Sequence, residues 1–160
     1  MLSQIKYMPD HARVWVYQLN RQLNDGELEI LSTKINSFLE EWASHGRNLT
    51  AASAFFNNRF LIVSVDESMA NASGCSIDSM VHFLKKLQSQ TGLDFFDRGA
   101  IVYLNEDELT SMPLNDFKEA VISGKIAPET RMFNTVIQTK GELANQFEIA
   151  VKDSWVMQFV

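Results

Sequence analysis

An α+β fold is what this sequence of 160 residues predicts, and three observations predict it. Short runs rich in β-branched and aromatic residues alternate with longer stretches whose apolar residues recur every three or four positions. Turn and capping residues separate the two kinds of segment. Their order over the first hundred residues is strand, helix, strand, strand, helix, strand, which is the split βαβ or ferredoxin-like pattern. Residues 1–105 are read as this ferredoxin-like β-α-β-β-α-β core. Residues 106–160 are read as a C-terminal α/β extension packed on it, with no Ser/Gly-rich linker, so that the two make one structural unit.

Residues 13–19, "RVWVYQL", form the first strand. In the helix that follows, Leu28, Leu31, Ile35, Phe38 and Trp42 make one apolar stripe. Asn24 with Glu27 three residues later resembles a capping box, and Gly46 suits the helix exit, which puts His45 in the last turn. "TAASAFF" and "RFLIVSVDE" flank Asn57-Asn58, residues that tolerate positive φ and so predict a tight hairpin. A second amphipathic helix places Ile77, Met80, Val81, Leu84 and Leu87 inward, and "GAIVYLN" is the fourth strand. Further on, "ELTSM" can pair back on that strand, and "LNDFKEAVISG" is a short helix closed by Gly124. "TKGE" opens another helix with a capping box, and "FEIAVKDSW" is a last strand.

Composition narrows function by exclusion. Hydrophobic residues are 46% and charged residues 21%, as in globular proteins, and net charge is −6. Between Asp94 and Glu119 the acids Asp94, Asp97, Glu106, Asp107, Glu108, Asp116 and Glu119 face only Arg98 and Lys118. Such a surface repels phosphate backbones, so no nucleic-acid partner is expected. A single cysteine excludes an internal disulfide and a four-thiolate metal site. "MLSQIKYMPDHARVW" has no apolar core of signal-peptide length, and no run approaches a membrane span. The expectation is a cytoplasmic protein with no membrane insertion and no cofactor.

The apolar run "FLIVSVDES" ends on Asp66 and Glu67, where a nucleotide hydrolase would hold Mg²⁺. Hydrolysis also needs backbone amides of a glycine-rich loop and an adjacent lysine to cradle the phosphates. The nearest approach, "SGKIAP", has Gly124 and Lys125. It carries Glu119 where the first glycine belongs and Ile126 where a hydroxyl belongs. Apolar strands often end in acids simply because they leave the core for water. "FNNRFLIVSVDES", "SGCSIDSMVHF", "FFDR" and "KDSW" together resemble a family of short bacterial proteins often labelled "ABC transporter ATPase". The resemblance spans nearly the whole chain and implies ATP hydrolysis coupled to transport. It assigns no catalytic role to any residue, since the P-loop on which that chemistry depends is absent.

If the first and third strands run parallel, Asn20, Arg21, Asp66, Glu67 and "ANASGCS" gather at one edge beside the helix N-termini. The free N–H groups there attract anions. Gly74 lets the chain approach closely and Ser76 caps the helix, so Asn20, Arg21, Ser73, Gly74 and Ser76 are the candidate ligand-binding residues. Cys75, just before that helix, is a candidate nucleophile with Asp66 or Glu67 as acid–base; its plainer reading is a small buried residue. His82, two helical turns on, reads as an exposed partner of Asp78. His11 lies in an N-terminal loop and is not marked out. No spacing supports a metal site. Asp97-Arg98 reads as a salt-linked turn anchored by Phe95 and Phe96. "LNDFKEAVISGKIAPETRMFN" also resembles, locally, the helix–Gly–x–Ile–x–Pro–x–Thr stretch of GYF-like peptide-binding domains. Trp155 would serve there as an aromatic wall, or else as a core anchor. The expected function is a binding or accessory protein holding a small anionic ligand or a protein partner. A thiol enzyme centred on Cys75 is the alternative, and an ATPase comes last.

Overall fold

A computed structural model describes residues 4–160. Met1–Ser3, the start of the stretch inspected for a signal sequence, lie outside the described residues. The elements are β1 (Arg13–Gln18), α1 (Asp25–Glu41), β2 (Ala43–Ser44), β3 (Arg47–Asn48), β4 (Thr50–Phe56), β5 (Phe60–Asp66) and α2 (Gly74–Thr91), then β6 (Ala100–Asn105), β7 (Glu108–Pro113), α3 (Leu114–Ile122), β8 (Arg131–Phe133), α4 (Lys140–Asn145) and β9 (Glu148–Ala150). Short 3-10 turns open and close the described chain. The class is α+β, and no described helix is long and apolar enough to cross a membrane.

Local chemistry explains each boundary. The Asn24 side chain accepts from the Glu27 N–H at 2.8 Å while Glu27 Oε1 accepts from the Asn24 N–H at 3.1 Å, closing the capping box of α1. Leu31, Ile35 and Leu39 are its buried stripe. The helix stops at Glu41, before the expected exit at Gly46, because Trp42 turns to extended backbone. That turn buries the indole, whose N–H donates to the Ser76 carbonyl at 2.7 Å. His45 and Gly46, at φ 51° and 77°, are instead the turn of the β2–β3 hairpin. His45 therefore does not sit on a helix terminus. For α2 the N-cap is Ser73, with Ser76 as its reciprocal partner three residues in, so Ser76 does not itself cap the helix. The expected last strand is confined to β9, after which the chain turns into 3-10 geometry.

One sheet has the order β1-β5-β4. The turn at Asn57 and Asn58, φ 50° and 53°, makes β4 and β5 antiparallel. The return through α1 starts β4 at the end where β1 began, and β5 inserts between them antiparallel to both. The expectation that the first and third strands run parallel is thereby corrected. A strand joined by a tight hairpin to the partner of a β-α-β crossover must oppose both crossover strands. The predicted fourth strand is also not in this sheet. A ferredoxin-like sheet would place it beside β1, yet β6 lies in a second sheet of order β7-β6-β8-β9.

Residue alternation explains that choice. Ile101 and Tyr103 face one way and Val102 and Leu104 the other, so β6 needs cover on both faces. The result is four layers. Helices α1 and α2 cover the face of the first sheet that carries Tyr17, Leu61, Val63 and Val65. The opposite face, with Val14, Phe60 and Ile62, packs on Val102 and Phe133 of the second sheet. The second sheet's outer face packs against Phe117 of α3 and against Val151 and Val156. The boundary expected after residue 105 falls inside the β6–β7 hairpin, whose turn is Glu106-Asp107 at φ 50° and 68°.

Candidate functional site

The third strand does bring its acidic end beside the start of α2. Glu67 Oε2 accepts from the Ala72 N–H at 2.8 Å, and Asp66 Oδ1 accepts from the backbone and hydroxyl of Ser68 at 3.0 and 2.6 Å. The two bonds from Ser68 hold the Asp66 carboxyl below its usual range, with a smaller contribution from His11. Both acids are thus used in closing the loop to α2. Cys75 is exposed on the first turn of α2 rather than buried. Ser73 and Ser76 are engaged with each other, the Ser73 N–H donating to Ser76 Oγ at 2.6 Å.

Asn20 and Arg21 are not in this cluster. Asn20 exchanges hydrogen bonds with Asp94, beyond the far end of α2, at 3.1 and 3.0 Å. A helix of that length spans roughly 27 Å at 1.5 Å per residue, so Asn20 lies about one helix away from Ser73. Arg21 grips Glu27 through both terminal nitrogens at 2.9 and 2.7 Å. The antiparallel orientation of β5 causes the separation: its acidic end meets the start of β1, with Val65 opposite Arg13. The expected gathering of all these groups at one edge is corrected. Asp78 and His82 are both exposed, and no ion pair joins them among the described residues. No described cluster of His, Cys, Asp and Glu has the makings of a metal site.

The principal concavity lies elsewhere, along the outer edge of β1. It is a groove of about 730 Å³ lined by β1 from Arg13 to Gln18, by Phe96 and Arg98 and by Val136 and Trp155. Of the expected site residues only Glu67 reaches it. Arg13 lies over the Trp15 ring at 4.7 Å, and Tyr17 meets Phe96 edge-on at 5.7 Å. Burial pushes the Tyr17 hydroxyl up to about 12, against the opposing effect of Arg98. Arg98 is exposed at the rim. The expected Asp97–Arg98 salt link is not formed: the described ion pairs are Arg21–Glu27 and Lys140–Asp10. Arg13 and Arg98 therefore both border the groove with no carboxylate ion-paired to them. Trp155 packs partly on the outer core and partly lines the groove.

Arg13, Trp15 and Arg98 are the site residues that sequence reasoning passed over. One signal was present: Arg13 and Trp15 stand two apart on one strand and so share a face. The walls, residues 95–98 and 135–139, come together only through the fold. Comparison with family models, with curated proteins and with solved structures finds no match for the chain.

Proposed function

We propose that this chain is a binding or accessory protein that holds an anionic group in the groove along β1. The observation that carries this reading is the pair of guanidinium groups, Arg13 and Arg98, bordering one concavity without ion-pair partners among the described residues. A guanidinium fork matches carboxylate or phosphate oxygens bidentately, and the aromatic floor supplies apolar area beneath it. The start of α2, with Ser73, Gly74 and Ser76, is the rival position for the same anion. Thiol chemistry at Cys75 has less support, since Cys75 does not line the groove. Nucleotide hydrolysis, the activity implied by the resemblance to the family labelled "ABC transporter ATPase", has the least: Asp66 and Glu67 are engaged in loop closure.

Amide and indole resonances followed during titration with glutarate and with inorganic phosphate, each to millimolar levels, test this. Movement of the Trp15 indole and of amides in residues 95–98 is expected, and Arg13→Gln should weaken it several-fold. Changes confined to residues 73–76 would transfer the site to the α2 start. A spectrum unmoved by both anions would remove the reading.

A further inference from the structure

The floor of the groove is an incomplete strand edge. The Val14 N–H donates to the Gln138 carbonyl at 2.9 Å, so residues 14, 16 and 18 turn their backbone groups away from β5. Pairing at that outer edge is closed at both ends. The Ala12 carbonyl accepts from the Lys140 N–H at 2.9 Å, and the Gln18 carbonyl accepts from the Asp97 N–H at 3.1 Å. Between them the Val14 carbonyl, both backbone groups of Val16 and the Gln18 N–H have no backbone partner among the described residues. Gln138 and Asp97 hold the places opposite Val14 and Gln18, so the open stretch faces Trp15, Val16 and Tyr17, about 10 Å at strand rise or roughly three extended residues.

We infer that the groove's occupant is an extended peptide segment of a partner protein, adding to β1 antiparallel and placing an acidic side chain at Arg13. This rests on reading the groove as a binding site. Two backbone hydrogen bonds, one to the Val16 carbonyl and one from the Val16 N–H, complete the edge, as in strand addition to other open sheets. Side-chain parity fixes the preferred sequence. The residue opposite Val16 shares the face of Val14 and Val16, which is apolar, so it is apolar too. Its neighbour opposite Trp15 lies on the face where the Arg13 guanidinium covers the indole ring, so it is Asp or Glu. A second cation at the rim, Arg98, favours a further acid beyond it.

The test uses the full chain and a pool of capped pentapeptides with a fixed valine–glutamate pair and randomised flanks. In the free protein, the Val16 and Gln18 amides should exchange with solvent much faster than those of Val14, Trp15 and Tyr17. Selected peptides should slow exchange at Val16. Methylating the backbone nitrogen of the peptide's valine should weaken binding by about tenfold, the scale of one lost hydrogen bond. Replacing its glutamate by glutamine should weaken binding less in Arg13→Gln than in the parent protein. Slow Val16 exchange in the free protein would overturn the inference. So would peptides that bind without protecting Val16, while glutarate still moves the Trp15 indole; the anion-binding reading then survives alone. If neither peptide nor glutarate perturbs the groove, both fall together.

Discussion

Tyr17 and Ser64 are polar residues set among apolar neighbours in the first sheet, and each makes a separate prediction. Burial holds the Tyr17 hydroxyl neutral up to about pH 12, whereas an unfolded tyrosine ionises near 10. The sign follows from linkage: the folded state favours the protonated form, so its contribution is intact below about pH 10 and is lost as pH rises toward 12. The loss is of order 3 kcal/mol. Urea unfolding on either side of that window should show the drop in wild type and a smaller one in Tyr17→Phe; equal drops would contradict it. The Ser64 hydroxyl is fully buried and has no hydrogen-bond partner among the described residues. Ser64→Ala should therefore leave stability unchanged or raise it by up to about 1 kcal/mol. A loss of that size would mean that the hydroxyl is bonded after all. Neither feature was legible in the sequence, where Ser64 is one small residue in an apolar run. The Arg13–Trp15 pair was legible, because alternation alone puts both on one face.

Helices and hairpins were the most legible scale, since their determinants are local. Asn24 and Glu27, Asn57-Asn58, and Thr139 with Glu142 all do what their chemistry predicts. The failures lie where a distant group decides. Gly46 serves a hairpin rather than a helix end because Trp42 leaves the helix to reach Ser76. At the start of α2 three positions within four residues separate structural from idle side chains. Ser73→Ala should cost about 1 kcal/mol by removing the N-cap acceptor. Ser76→Ala should cost a similar amount, because its buried hydroxyl accepts from the Ser73 N–H. Cys75→Ser, exposed between them, should change stability by less than about 0.5 kcal/mol. Chemical denaturation of the three variants checks the pattern. A large effect at Cys75 alone would reassign the role of that turn.

The arrangement of layers was the least legible scale, because it depends on which of two apolar faces each strand offers to which partner. Periodicity marks β6 as buried but does not say that its neighbours are β7 and β8 rather than β1. One residue shows how tightly the sheets are tied. Arg59, buried, donates through Nε to the Leu19 carbonyl at 2.6 Å and through Nη2 to Ser111 on β7 at 3.2 Å. Its pKa is lowered by desolvation, against Asp97, so it is held there at an electrostatic cost. Arg59→Ala relieves that cost but leaves the Leu19 carbonyl without its side-chain donor, and a net loss of about 2 kcal/mol is expected. The shared inter-sheet core, with Phe60 and Ile62 facing Val102 and Phe133, predicts that the described residues unfold as one cooperative unit. Trp15 and Trp42 report on the helical side and Trp155 on the outer layer. Single-tryptophan variants should therefore unfold in urea with coincident midpoints. A chain ending at Asn105 would keep β6 without β7 or β8 and would uncover the Phe60 and Ile62 face of the first sheet. Such a fragment should lack a sharp thermal transition and should aggregate. A well-dispersed amide spectrum from it would show that the first sheet and its helices stand without the second, and the cooperative picture would then be abandoned.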